Sequence, residues 1–175
     1  PLAMEAVDLA MVIDEALQRC AIPPDVDLVV TVSPRPFTVH ADPLQLRQVL
    51  TNLVTNARQA IDRSGTIEVT VGDLGGGRYA IHVSDTGCGI SEQAIGHVFE
   101  PLFTTRARGT GLGLSICRQI VEMHGGHLTL QSRLARVLQE QSFMRDSGKT
   151  RVEVDVRVLA ATARSLQEDI VSGQF

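Results

Sequence analysis

Three groups of residues in this chain have the types and spacing to do chemistry. Asp85 ends an apolar-polar alternation and is followed at once by "TGCGI", in which Gly87 and Gly89 let the backbone turn sharply and approach a flat ligand closely. A carboxylate there can accept a hydrogen bond from an exocyclic amine, and Ile90 can wall an aromatic ring. Further on, "GTGLGLSI" opens a helical pattern at Gly109, and the unpaired N–H groups and positive dipole end of such a helix suit phosphate. It is not a P-loop, because no lysine follows its last glycine, and it lacks the GxGxxG dinucleotide spacing. Taken singly, each glycine cluster also reads as a tight turn or a helix cap. The third group is "DPLQLRQVLTNLVTNARQAI", where Asn52 and Asn56 stand one turn apart.

These groups need elements to hold them. Advancing ~100° per residue from Asp42, the helix places Leu46, Val49, Leu50, Leu53, Ala57, Ala60 and Ile61 on a buried stripe. Gln45, Gln48, Asn52, Asn56 and Gln59 line its flank, and Arg58 points the opposite way. Asparagine is a mediocre helix former, so the amide stripe is either an ordinary half-exposed face or a site. An amide oxygen there can hold a hard divalent cation without adding charge. Asp42 caps this helix and Pro43 suits its first position, with an end near Asp62. Asp8 caps an earlier helix to about Cys20, with Leu9, Val12, Ile13, Ala16, Leu17 and Cys20 on one stripe. Strands are expected over 26–32 and 37–40, then a hairpin of 66–71 and 79–83 around "GDLGGG". Ser91 starts a short helix to about Val98. A helix over 111–124 ends at Gly125 and Gly126, and strands follow over 127–132 and 151–158. Such an order implies a two-layer α/β sandwich, with helices packed on one face of a mixed sheet.

Composition narrows the classes. The 175 residues are 43% hydrophobic and 21% charged, enough for one well-buried domain. No apolar run approaches the ~18 residues of a membrane span, so no direct membrane contact is expected. A net charge of −4, with five phenylalanines and one tyrosine, argues against nucleic acid as partner. Cys20, Cys88 and Cys117 match no metal spacing and point to a reducing, cytoplasmic compartment, with Cys88 read as a small buried thiol. The opening "PLAMEAVDLAMVIDEALQ" lacks a basic n-region, and its abrupt proline suggests a piece of a longer protein.

In order, "TNLVTNA", "DTGCGI", "FEPLFTT" and "GTGLGLSI" closely resemble the N, G1, F and G2 boxes of the catalytic ATP-binding domain of sensor histidine kinases, in the GHKL ATPase superfamily. The resemblance covers about residues 1–132, with 150–158 matching the final strand less well. It implies a Bergerat-type ATP-binding fold with ATP and Mg²⁺ as cofactors, and γ-phosphoryl transfer to a histidine. By this resemblance Asn56 coordinates Mg²⁺, Asn52 lies near the phosphates, and Asp85 binds the adenine amino group in a pocket shaped by Gly87, Gly89 and Ile90. Residues 99–108 form the ATP lid, including Thr104 and Thr105, with Phe99 and Phe103 as its anchors. Gly109, Thr110, Gly111, Leu112, Gly113 and Leu114 present backbone N–H groups to the phosphates. Arg106 and Arg108 are candidates for γ-phosphate contacts, with a solvated surface pair as the alternative.

The departures are informative. Gln59, on the nucleotide side, stands where the family often has a basic residue, which puts weight on the lid arginines. Superfamily members that hydrolyse ATP carry a glutamate at the position of Asn52, so transfer to a partner is expected over hydrolysis. Thr150, after a long connector over 133–148, reaches toward the adenine end, and 159–175 reads as a weak tail helix outside a catalytic domain of 1–158. None of His40, His82, His97, His124 and His127 has phosphoacceptor surroundings. The implied partners are therefore the dimerisation and histidine-phosphotransfer helices of the same parent protein, and a response regulator. A degenerate domain serving as a docking module is the alternative, and an ATPase of the chaperone or topoisomerase kind is disfavoured by Asn52.

Overall fold

Residues 2–32, 37–106, 109–131 and 152–158 are described by the computed structural model. Arg108, Thr150, the connector over 133–148 and the tail over 159–175 lie outside the described residues.

The chain opens with β1 (Glu5–Asp8), and Asp8 then caps α1 (Leu9–Arg19) by accepting from the Ala10 N–H at 3.0 Å. Strands β2 (Val26–Val32) and β3 (Thr38–Ala41) precede α2 (Pro43–Ala60). Asp42 Oδ1 accepts from the N–H groups of Leu44 and Gln45 at 3.0 and 3.2 Å, and Pro43 occupies the first turn as expected. The hairpin β4 (Gly65–Gly75) and β5 (Arg78–Asp85) follows, then α3 (Glu92–Ile95), α4 (Gly113–Met123), β6 (His127–Gln131) and β7 (Val152–Val158).

Five strands form one sheet in the order β2-β4-β5-β7-β6, with β2 parallel to β4 and the other neighbours antiparallel. The sheet is therefore mixed. Ile67, Val69 and Val71 of β4 alternate inward with Ile81 and Val83 of β5, as a half-buried hairpin requires. They share one core with Leu46, Val49, Leu50, Leu53, Val54 and Ala57 of α2, with Leu9, Val12, Ile13 and Ala16 of α1, and with Cys117, Ile120 and Val121 of α4. Helix α2 packs between α1 and α4, so its amide-bearing flank is presented along the start of α4.

Before Asp8, where no element was expected, β1 pairs antiparallel with β3, Glu5 facing Ala41, in a separate two-stranded sheet. Two expectations are corrected. The hairpin turn is tighter than "GDLGGG", because Gly72 to Gly75 still belong to β4 and the reversal falls at Gly76 and Gly77, at φ 63° and 72°. Cys88 is exposed, and the buried thiol is Cys117 instead.

Candidate nucleotide-binding site

Asp85 closes β5 with only 5% of its surface exposed. Its Oδ1 accepts from the Gly87 N–H at 2.8 Å, a short Asx turn that swings the glycine loop away from the sheet. Its second oxygen makes no hydrogen bond among the described residues. Burial pushes the carboxyl up to about 6, opposed by the Gly87 hydrogen bond and the nearby Arg106 charge. At neutral pH it is mostly ionised, an acceptor with a lone-pair face unspent.

The loop after Asp85 is stapled to the end of α2. The Cys88 N–H donates to the Ala60 carbonyl at 2.9 Å, and a Cβ on Gly87 would stand 2.6 Å from the Ala60 Cβ, so only glycine lets the two backbones meet. Gly89 follows at φ 74°, and Ile90 is half-buried beside it. This contact brings the carboxylate of β5 next to the amides of α2. Sequence reasoning missed Ala60, whose part is played by its backbone and leaves no side-chain signal.

Gly111, at φ 68°, meets the loop from the other end. The Leu102 N–H donates to its carbonyl at 3.0 Å, and a Cβ on Gly111 would lie 2.6 Å from the Leu102 oxygen. Helix α4 begins two residues later than expected, at Gly113, because this left-handed residue cannot belong to it. Its N-cap Leu112 supplies no side-chain hydrogen bond, which leaves the first N–H groups of α4 open to a ligand's oxygens. A Cβ on Gly113 would sit 3.9 Å from the Asn56 amide nitrogen, so Asn56 faces the start of α4.

The two phenylalanines of the loop between lie in different surroundings. Phe99 packs against the core with Leu114 and Ile116, its ring 5.4 Å from the Arg118 guanidinium carbon, and Phe103 stacks on His97 with ring centroids 5.7 Å apart. Thr104 Oγ1 accepts the Arg106 N–H at 3.1 Å, and Thr105, Thr110 and Leu112 are exposed. Arg106 then reaches back across to α2. Its Nη1 donates to Gln59 Oε1 at 2.6 Å and to Asn56 Oδ1 at 3.3 Å, and its Nη2 donates to the Asn56 carbonyl at 3.1 Å. Arg58 faces α1, where its charge acts on the Cys20 thiol. Asn52 is half-buried near the Cys117 thiol of α4, which donates to the Val49 carbonyl at 3.8 Å and which burial pushes up to about 11 against the neighbouring Asn52 amide. The structure thus brings Asn56, Gln59, Asp85, Arg106, Gly111 and Gly113 together and turns Asn52 toward the α2–α4 seam.

The family described as "Histidine kinase-, DNA gyrase B-, and HSP90-like ATPase" matches residues 41–159, more than half of the chain. The chain belongs to this ATPase family. Within it the likeness is to sensor histidine kinases. The sensor histidine kinase ZraS of Klebsiella oxytoca is 41% identical over 134 residues, covering 75% of this chain and 29% of ZraS. The chain therefore spans less than a third of the length of that relative. Among solved structures, the mycobacterial sensor histidine kinase MprB superposes with a TM-score of 0.71 at 28% identity, covering 89% of this chain and 97% of that one. Full-length ShkA in complex with AMPPNP superposes with a TM-score of 0.65 at 25% identity, covering 94% of this chain and 34% of ShkA. The chain is an ATP-binding catalytic domain of the histidine-kinase type, with helices on one side of a mixed sheet.

Proposed function

We propose that this domain positions Mg-ATP for transfer of the γ-phosphoryl group to a histidine on separate dimerisation helices of the same parent protein, from which a response regulator receives it. The observation that carries the reading is the convergence of Asp85, Asn56 and the uncapped start of α4, joined by the Cys88–Ala60 and Arg106–Asn56 hydrogen bonds. Asp85 accepts from the adenine amino group through its unused oxygen, with Gly87, Gly89 and Ile90 against the ring. The N–H groups from Thr110 to Leu114 face the phosphates, that of Gly109 being taken by the Arg106 carbonyl at 3.2 Å, and Arg106, with Arg108, adds positive charge at the γ end. That ShkA was solved with AMPPNP supports a nucleotide in this place.

The donor set fits Mg²⁺. Asn56 offers one neutral oxygen, no cluster of three His, Cys, Asp or Glu side chains exists among the described residues, and a phosphate-bound Mg²⁺ takes few protein ligands. When bound, the ion neutralises phosphate charge. Asn52 carries a neutral amide, which is no base for water, and this supports transfer over hydrolysis. In the transfer the acceptor imidazole nitrogen forms a bond to the γ-phosphorus as its bond to the β–γ bridging oxygen breaks, and ADP leaves.

Calorimetric titration with a non-hydrolysable ATP analogue, with and without Mg²⁺, tests the reading on the wild type and on Asp85→Asn. The expected result is saturable binding that weakens by about tenfold or more in the variant, the worth of a hydrogen bond to a charged group. No binding at millimolar nucleotide by the folded chain overturns it.

A further inference from the structure

The acceptors that hydrogen-bond the Arg106 guanidinium among the described residues are all neutral, the Gln59 amide, the Asn56 amide and the Asn56 carbonyl, and the Asp85 carboxylate lies near it without bonding it. Three of its five N–H donors are engaged, and the shortest of these bonds, at 2.6 Å, goes to Gln59. Gln59 stands at the C-terminal end of α2, whose helix dipole favours a cation there. A cation held by neutral oxygens gains more from a polyphosphate, because charge-assisted bonds are about twice as strong as neutral ones. Asn56 Oδ1 is also the oxygen assigned above to the metal, which leaves Gln59 Oε1, at 2.6 Å, as the side-chain partner that keeps Arg106 in place once nucleotide is bound, beside the Asn56 backbone carbonyl at 3.1 Å.

We propose that Gln59 is a positioning residue for Arg106: it holds the loop arginine over the phosphate end of the site, so that Gln59 and Arg106 together supply the cation that neither supplies alone. The proposal rests on the nucleotide reading above. Gln59 keeps Nη1 while the two unengaged N–H donors face the terminal phosphates. An exposed glutamine with no other recorded partner among the described residues has no structural need for this geometry, since both side chains lie at the surface and outside the core.

The test is a double-mutant cycle on the 175-residue chain, with a non-hydrolysable ATP analogue and, in parallel, adenosine, which has no phosphate. At pH 8, where Asp85 stays ionised, Arg106→Gln is expected to weaken the analogue by about ten- to a hundredfold, and Gln59→Met by about tenfold, both with a much smaller effect on adenosine. In the Arg106→Gln background, Gln59→Met is expected to cost nothing further. Gln59→Lys is expected to restore analogue binding to Arg106→Gln, by placing a cation directly on α2. Because Gln59 and Arg106 are exposed, each variant is expected to fold, which circular dichroism checks. Wild-type binding with additive effects of the two substitutions, or with Gln59→Met equal to wild type, overturns the pairing alone. Absence of wild-type binding to analogue and adenosine alike overturns the nucleotide reading, and the pairing with it.

Discussion

At the scale of single residues, burial and function pull Asp85 in opposite directions. Its carboxyl, pushed up to about 6 by desolvation, must be ionised to accept well from an amine, yet the fold disfavours that charge. If only the ionised form binds, apparent affinity falls by about tenfold at one pH unit below the pKa. Adenosine affinity is therefore expected to be level above pH 7 and about tenfold weaker at pH 5. Adenosine carries no titrating phosphate, so the trend reports the protein. Asp85→Asn is expected to bind weakly at every pH with no such slope, and a wild-type profile flat from pH 5 to 8 contradicts the assignment. The residue's importance was legible in the sequence from its place between a strand and two glycines. The role of Ala60 was not, because a backbone carbonyl is offered by every residue. The Gln59–Arg106 bond was half legible: an absent basic residue pointed to the loop arginines, but nothing in the spacing said that glutamine would hold one of them.

Elements show the same division between local and distant causes. Helix α2 was readable almost to the residue, since its cap, its first-turn proline and its apolar stripe all act within a few positions. Val54, buried at the edge of that stripe, was overlooked because the packing of α1 widens the covered face. Strand β1 was unreadable: four residues without alternation are held by pairing with β3 more than thirty positions away, where Glu5 meets Ala41. Where α4 begins depends on Gly111, whose φ of 68° and approach to the Leu102 carbonyl both exclude a side chain. Gly111→Ala is therefore expected to cost ~1–2 kcal/mol in urea unfolding and to weaken the ATP analogue by loosening the loop from α4. Gly72→Ala, at a position with nothing within 4 Å of an added Cβ and no positive φ, is the control and is expected to leave binding unchanged. Equal behaviour of the two variants would falsify the argument from Gly111.

Across the whole molecule, two buried acids set opposite slopes of stability against pH. Asp42 Oδ2 accepts the Ala3 N–H at 2.9 Å, while its own N–H donates to His124 Nε2 at 3.0 Å, so one residue ties the incoming chain, the start of α2 and the end of α4. The Ala3 hydrogen bond is the largest cause holding its carboxyl below the usual range, with the Gln45 and Leu44 N–H groups adding to it against desolvation. A depressed pKa means that stability is present above about 3.8 and is lost as pH falls through the folded value. Asp85 has the reverse sign. With its folded pKa raised to about 6, the native state binds the proton more tightly, so stability falls as pH rises from about 4 through 6. A shift of about two units corresponds to roughly 3 kcal/mol at most. From these two groups the ligand-free chain is expected to be more stable at pH 4.5 than at pH 7.5 by roughly 2 kcal/mol in urea unfolding, the rest of the effect lying below pH 4.5. Asp85→Asn is expected to lose most of this difference, and Asp42→Asn to lower stability at both pH values while keeping it. At pH 7.5 the ATP analogue is expected to return the stability that the buried charge withholds, rising with ligand concentration, since it binds only the native state. A wild type and an Asp85→Asn variant with parallel pH profiles would mean that the carboxylate is better solvated than its burial implies, and that the nucleotide site is not built on a destabilised charge.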